Sequence, residues 1–62
     1  MKKTRQPAPE GLIELQRRNG ASWVPMSRDY DRIVMDTRFE YARAFGSARL
    51  VDLHTGEVLK EH

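Results

Sequence analysis

The chain lacks cysteine throughout its 62 residues, and no apolar run is long enough to cross a membrane. Without thiols the chain cannot form the disulfides or the cysteine-based zinc sites that stabilise many small domains. A membrane-spanning helix would need about 18 consecutive apolar residues, so no contact with a membrane is expected. The absence of cysteine agrees with a reducing compartment, and the sequence predicts a cytoplasmic protein.

The chain is also short of apolar and aromatic residues, which make up 39% and 8% of it. A chain of about 60 residues buries only about 60% of the surface that it exposes when unfolded. This size leaves no room for a second domain or for a deep catalytic pocket. We therefore expect one domain over residues 11–62, preceded by an N-terminal arm over residues 1–10.

Positive charge exceeds negative charge only slightly, with a formal net charge of +2. The excess is concentrated near the start of the chain, where Lys2, Lys3 and Arg5 precede two prolines. Proline removes backbone donors, and the arm has no apolar residue larger than alanine after Met1 to offset the entropy of ordering it. The sequence therefore predicts a disordered basic arm.

An Asn-Gly pair indicates a hairpin in the first half of the domain. Residues 12–18 and 21–28 are the predicted strands, and Asn19-Gly20 suits the two positive φ angles of a type I′ turn. Pro25 indicates an edge strand, because proline cannot donate to a neighbouring strand. Counting outward from this turn places four apolar residues on one sheet face: Ile13, Leu15, Val24 and Met26. The other face carries Glu14, Gln16, Arg18, Trp23 and Pro25.

A helix is predicted over residues 29–45, with Ser27 or Asp29 as its cap and Gly46 as its stop. At 100° per residue, one narrow stripe collects most of its apolar side chains. This predicted stripe comprises Tyr30, Ile33, Val34, Thr37, Tyr41, Ala44 and Phe45. Met35 and Phe39 fall on the opposite side, and we expect them to face solvent.

A second hairpin is predicted over residues 48–60, with a loop at His54–Gly56. A three-residue loop places Val51, Leu53 and Leu59 on one face and leaves Leu50 and Val58 on the other. A four-residue loop pairs Val51 with Val58 instead. The pattern leaves both registers open.

The element order predicts an α+β fold, β-β-α-β-β, in which one helix packs on one face of a four-stranded, mainly antiparallel sheet. Strand order 2-1-3-4 keeps all neighbours antiparallel, and order 1-2-3-4 is the alternative. The predicted core comprises Ile13, Leu15, Val24, Met26, Tyr30, Ile33, Val34, Tyr41, Ala44, Phe45, Val51, Leu53 and Leu59.

The polar residues of the second hairpin do not form a convincing catalytic or metal site. Asp52 precedes His54 by two residues, but an aspartate before a turn is explained by its bonds to the turn backbone. No phosphate-binding glycine motif is present in the sequence. We expect no enzymatic activity, no cofactor and no metal.

Met35 and Phe39, four residues apart and flanked by charges, are the predicted anchors of a protein-binding surface. A core this small is marginal alone, so exposed apolar surface favours a partner protein and a homodimer. The predicted protein-binding residues are Arg32, Met35, Phe39, Arg43 and Trp23. Trp23, Leu50 and Val58 could form a second apolar surface on the opposite sheet face.

Nucleic-acid binding is the alternative function. Trp23 lies beside Arg18 on the open sheet face, and an aromatic ring next to arginine can stack on a base. The arm could neutralise phosphates through Lys2, Lys3 and Arg5.

The second half of the chain, residues 29–62, is similar to a type of small phage and prophage-type bacterial protein, and the resemblance covers roughly residues 12–60. The matching residues are Trp23 and Val24 in the first hairpin, followed by Arg49, Val51, Asp52, Thr55, Gly56, Glu57 and Val58. The resemblance implies the same topology and an origin in a mobile element, and it implies no particular activity.

Overall fold

A computed structural model describes residues 8–62 of the chain as an α+β fold. Its strands are β1 (Ile13–Asn19), β2 (Ser22–Asp29), β3 (Ala48–Asp52) and β4 (Val58–Glu61), and its helix is α1 (Arg32–Ala42). The sheet order is β2-β1-β3-β4 with every neighbouring pair antiparallel. The predicted fold class and the strand order 2-1-3-4 are therefore confirmed. The predicted disorder of the arm falls largely on residues 1–7, which lie outside the described residues.

The first hairpin turns one residue later than predicted. Asn19 pairs with Ser22, so the two loop residues are Gly20 and Ala21. Gly20 has a φ of 64°, whereas Ala21 keeps a negative φ. A positive φ at the first loop position alone is the requirement of a type II′ turn, in which glycine comes first. The predicted Asn19-Gly20 turn is wrong because Gly20, and not Asn19, takes the first loop position.

A β-bulge then changes the pairing of β1 with β2 a second time. Leu15 pairs with Ser27 and Gln16 with Pro25, so Met26 is the extra residue. Val24 and Met26 are consequently exposed, although they were predicted to belong to the core. Only the β1 half of the predicted apolar face, Ile13 and Leu15, is buried.

Helix α1 begins three residues later than predicted, because β2 continues as far as Asp29. Asp31 is the N-cap, and its carboxylate accepts hydrogen bonds from the amides of Ile33 at 2.9 Å and Val34 at 3.2 Å. A short 3₁₀ turn, Arg43–Phe45, extends the helix to its predicted end before Gly46. The cap is therefore an aspartate, a residue type that is favoured at this position, but it is Asp31 and not Ser27 or Asp29.

The buried face of α1 is the face that was predicted to be exposed. Met35, Phe39 and Ala42 are buried at helical spacing, and Met35 is fully inaccessible to solvent. Six members of the predicted stripe are exposed and Val34 is half-buried. The exposed members are Tyr30, Ile33, Thr37, Tyr41, Ala44 and Phe45.

Two features outside the helix accompany this orientation. Only Tyr30 and Asp31 connect the end of β2 to the start of α1, so the helix has little freedom to rotate about its axis. On the far side, Lys60 of β4 lies 3.4 Å from Asp36 and 3.9 Å from Glu40. These charges are satisfied when α1 lies with this flank toward β4, and Met35 and Phe39 then point into the sheet.

The second hairpin has the four-residue loop. Val51 pairs with Val58, and the amide of Asp52 donates to the Glu57 carbonyl at 2.8 Å. Gly56 takes the positive φ of 82° that was expected of it. A bulge follows at Leu59, which packs against the core. Leu50 is fully buried under the helix and does not reach the opposite sheet face.

The core lies between α1 and the two central strands. Its members are Ile13, Leu15, Met35, Phe39, Ala42, Ala48 and Leu50. Val51 is buried on the other side of the sheet, and Val34, Leu53 and Leu59 are half-buried. The core prediction is therefore correct for β1 and for Val51 of β3, and wrong for most of the helix and for β2. It also missed Met35, Phe39, Ala42, Ala48 and Leu50.

Candidate interaction surfaces

The two helix residues predicted to anchor a partner are inside the domain. Met35 is 0% exposed and Phe39 only 3% exposed, so neither can meet a partner in this fold. Arg32 and Arg43 remain on the surface, where Arg32 pairs with Asp36 at 3.0 Å. Arg43 pairs with Glu40 at 3.4 Å. The predicted protein-binding set therefore does not form one surface, and its two apolar members are removed from it.

An open groove separates α1 from β2. It arises because α1 packs over β1 and β3, and no β2 residue belongs to the core cluster. The groove has a volume of about 520 Å³. We call this space the α1–β2 groove, and its lining comprises Leu15, Arg17, Met26, Ser27, Thr37, Arg38, Tyr41, Ala42 and Phe45.

The outer surface of the helix continues the apolar character of the groove. Ile33 is 77% exposed, Tyr41 73% and Phe45 64%. The rings of Tyr41 and Phe45 lie 5.2 Å apart and are tilted by 57°, which is within the range of a favourable aromatic pair. Ile33, Thr37, Tyr41 and Phe45 follow each other at four-residue spacing and therefore lie along one side of the helix. We call these four residues the exposed helix stripe.

Two arginines line the groove without a carboxylate beside them. Neither Arg17 nor Arg38 forms an ion pair with any residue of the described range 8–62. The Arg38 side chain makes a long contact, 3.9 Å from its Nη1 to the sulfur of Met35. By contrast, Arg28, Arg32 and Arg43 each lie beside a carboxylate. The groove therefore combines an apolar lining with unneutralised positive charge.

Ser27 adds a polar atom to the groove wall. Its hydroxyl oxygen is buried and has no hydrogen-bond partner within the part of the chain that the structure describes. An unsatisfied buried hydroxyl costs free energy, and such costs are uncommon in folded proteins.

The opposite sheet face carries a chain of polar contacts around a nearly buried carboxylate. Glu14 is 4% exposed and accepts a hydrogen bond from Arg28 at 2.6 Å and another from Gln16 at 2.7 Å. Arg49 in turn donates to the Gln16 side chain at 2.6 Å. The charge of Glu14 is tolerated in this position because both of its oxygens have donors.

Trp23 lies on this open face, half-buried and close to two guanidinium groups. The central guanidinium carbon of Arg49 is 4.3 Å from the ring centroid, and that of Arg18 is 5.7 Å away. The structure thus brings together Trp23 and Arg18, which were predicted as neighbours, and adds Arg49. Lys2, Lys3 and Arg5 lie outside the described residues. The predicted apolar surface of Trp23, Leu50 and Val58 does not form, because Leu50 is buried beneath the helix.

Asp36 lies between two cationic side chains on the helix surface. The hydrogen bond from Arg32, supported by the positive charges of Lys60 and Arg32, lowers the pKa of the Asp36 carboxyl below its ordinary value of 3.8. These groups lie on the β4 side of the helix, away from the α1–β2 groove.

Asp52 and His54 do not form an acid–base pair. The Asp52 carboxylate accepts from the backbone amides of His54 and Thr55, at 2.9 and 3.2 Å, which is its expected role in the turn. The His54 ring nitrogen Nδ1 lies 2.8 Å from the Ala8 carbonyl oxygen. Among residues 8–62 no three histidine, aspartate or glutamate side chains are grouped so as to hold a metal ion.

The α1–β2 groove was not found from the sequence, although its apolar residues were. Tyr41 and Phe45 were recognised by their helical periodicity as members of one apolar stripe, but the stripe was predicted to be core. Arg17 and Arg38 carried no signal, because they approach the groove from β1 and α1, two elements distant in sequence.

Within the described part of the chain, α1 has neither the length nor the apolar character of a membrane-spanning helix. Comparisons of the chain with protein-family models, with curated proteins and with solved structures found no match. The resemblance to small phage and prophage-type proteins therefore stays a prediction.

Proposed function

We propose that this protein is a small non-catalytic interaction domain, with an accessory or regulatory role, that binds another protein through the α1–β2 groove and the exposed helix stripe. The observation that carries the proposal is the exposure of Ile33, Tyr41 and Phe45, each more than half accessible, in a continuous band on a chain of 62 residues. Contiguous exposed apolar surface on a small domain is a mark of an interaction site.

The proposed surface replaces the one predicted from the sequence. Its exposed apolar members Ile33, Tyr41 and Phe45 were predicted to belong to the core. The predicted anchors Met35 and Phe39 lie in the core instead. The interaction role is thus transferred to the stripe that the fold leaves uncovered. The homodimer, the cytoplasmic location and the phage or prophage origin stay predictions.

Site-specific photo-crosslinking in the cell that produces the protein tests this function. A benzoylphenylalanine at position 41 should form covalent adducts with a protein, which mass spectrometry would identify. The matched control is the same probe at position 58, because Val58 is also exposed but lies on the other sheet face. Equal adducts from both positions, or no protein adduct from position 41, would refute the proposal.

We propose nucleic-acid binding through the open sheet face as the second candidate, because two guanidinium groups accompany Trp23 there. An aromatic ring with arginines beside it can stack on bases while the arginines contact phosphates. For this to happen Arg49, which lies 4.3 Å from the ring centroid, would have to swing aside to a phosphate.

Anisotropy of a fluorescein-labelled 20-nucleotide oligothymidine tests the second candidate. Binding through phosphates should weaken steeply between 50 and 200 mM salt and should be lost in a Trp23→Ala variant. Tyr41→Ser should leave it unchanged. Absence of binding at 50 mM salt would eliminate this candidate.

A further inference from the structure

The charges beside the α1–β2 groove restrict what it can bind. We propose that its occupant is an acidic amphipathic helix of a partner protein, with apolar side chains in the groove and carboxylates against Arg17 and Arg38. This inference rests on the proposed interaction function and specifies the chemistry of the partner.

The apolar part of the argument comes from the lining. Leu15 and Ala42 form the floor, and Met26, Tyr41 and Phe45 stand more exposed around it. A helix presents apolar side chains every three or four residues along one face, which suits such a groove. Beyond the groove the exposed helix stripe runs through Thr37 to Ile33, which is 77% exposed, so the surface favours an elongated segment over a small molecule.

The neighbouring strand argues for a helix and against an added β-strand. An extended peptide would have to pair with the free edge of β2, where Pro25 has no N–H to donate. The bulge at Met26 further interrupts the regular spacing of backbone groups along that strand. Strand addition is therefore disfavoured beside the groove.

The electrostatic part of the argument comes from Arg17 and Arg38. Guanidinium groups bind carboxylates through paired, charge-assisted hydrogen bonds, and both arginines lack a carboxylate among the described residues. In a symmetric contact between two copies of the chain, the same surface would meet itself. The groove lining contains Arg17 and Arg38 and no acidic residue, so the matching surface of a second copy would bring no carboxylate to them. The groove therefore suits an acidic partner better than a second copy.

Selection from an mRNA-display library of random 16-residue peptides on the intact chain tests this inference. Enriched peptides should carry apolar residues at three- and four-residue spacing, flanked by aspartate or glutamate. One enriched peptide, labelled with fluorescein, would then be titrated by anisotropy. Arg17→Glu with Arg38→Glu should weaken its binding about tenfold or more, because two charge-assisted contacts become repulsive.

The matched control is Arg32→Glu with Arg43→Glu, which changes the net charge equally but on the other flank of the helix. It should change the affinity less than about threefold at physiological salt, since neither arginine lines the groove and salt screens exposed charges that do not contact the peptide. Replacing the glutamates of the peptide with lysine should restore binding to the Arg17→Glu, Arg38→Glu variant.

Several results would overturn the inference. These are no enrichment, enrichment of basic or uncharged peptides, or equal effects of the two double variants. Sedimentation that shows a dimer dissociated by Tyr41→Ser would identify a second copy as the occupant. If one of these results is obtained while the probe at position 41 still forms adducts with a protein, the acidic-helix inference fails and the interaction function stands. A lack of adducts from position 41 would refute the interaction function itself.

Discussion

Glu14 shows how a single residue can be buried on the sheet face that has no helix over it. It occupies β1, a central strand, and its carboxylate is held by Arg28 and Gln16. Hydrogen bonds to a charged group typically contribute about 1.5–3 kcal/mol. The open face is thus ordered by polar contacts and by the packing of Arg49 on Trp23.

We expect Glu14→Gln to lower the free energy of unfolding by about 1–3 kcal/mol, because an amide pairs poorly with the Arg28 guanidinium in a nearly buried position. Urea denaturation would measure the loss. Glu40→Gln is the control, since Glu40 is exposed and should change stability by about 0.5 kcal/mol or less. Equal effects of the two substitutions would contradict the role of Glu14.

Trp23 is the one tryptophan in the chain and therefore reports on its own surroundings. Removing the Arg49 side chain should uncover its ring, so Arg49→Ala should increase quenching of the tryptophan fluorescence by acrylamide. Arg43→Ala, which removes an arginine from the helix surface, should have no such effect. Unchanged quenching in Arg49→Ala would show that Arg49 does not cover the ring in solution.

The lowered pKa of Asp36 predicts a pH dependence of defined sign. Its folded-state pKa lies below the unfolded value, so the stabilisation is present above about pH 4 and is lost as the pH falls through the folded-state pKa. An NMR titration of the carboxyl carbon should give a midpoint below 3.8, and Arg32→Ala should raise it toward that value. A midpoint that Arg32→Ala leaves in place would assign the shift to another group.

At the scale of the elements, the features that depend on neighbouring residues were predicted better than those that depend on long-range packing. The hairpins, the helix and the role of Asp52 follow from neighbours in sequence, such as turn glycines and capping aspartates. The buried face of α1 does not, because two apolar stripes compete on the same helix. The choice between them depends on how α1 packs against the sheet, where Met35 and Phe39 meet Leu15 and Leu50 in the core. Periodicity alone cannot make that choice.

The first hairpin carries its own prediction. A Cβ atom at Gly20 would meet no other atom within 4 Å, so Gly20→Ala tests the backbone conformation alone. The positive φ of 64° should cost about 1–2 kcal/mol with a side chain present, measured by urea denaturation. Ala21→Ser, at the loop position with a negative φ, is the control and should change little. If Gly20→Ala were as stable as the parent chain, the turn would differ from the one described here.

At the scale of the whole molecule, the position of α1 over β1 and β3 decides which surface is available. It covers the centre of the sheet, leaves Met26 of β2 exposed and so opens the groove where Arg17 and Arg38 approach. This offset depends on contacts between elements remote in sequence, which is why the groove could not be predicted while its apolar stripe could. The orientation of α1 about its axis thus buries Met35 and Phe39 in the core and leaves the proposed binding surface exposed.

The most direct test of that orientation is a comparison of two helix substitutions by urea denaturation, Phe39→Leu and Tyr41→Leu. Phe39→Leu should lower the free energy of unfolding by about 1–2 kcal/mol, because it leaves a gap in the core beside Met35. Tyr41→Leu should change it by about 0.5 kcal/mol or less, because Tyr41 is mostly exposed. A large loss for Tyr41→Leu together with no loss for Phe39→Leu would place the opposite stripe in the core and contradict the account.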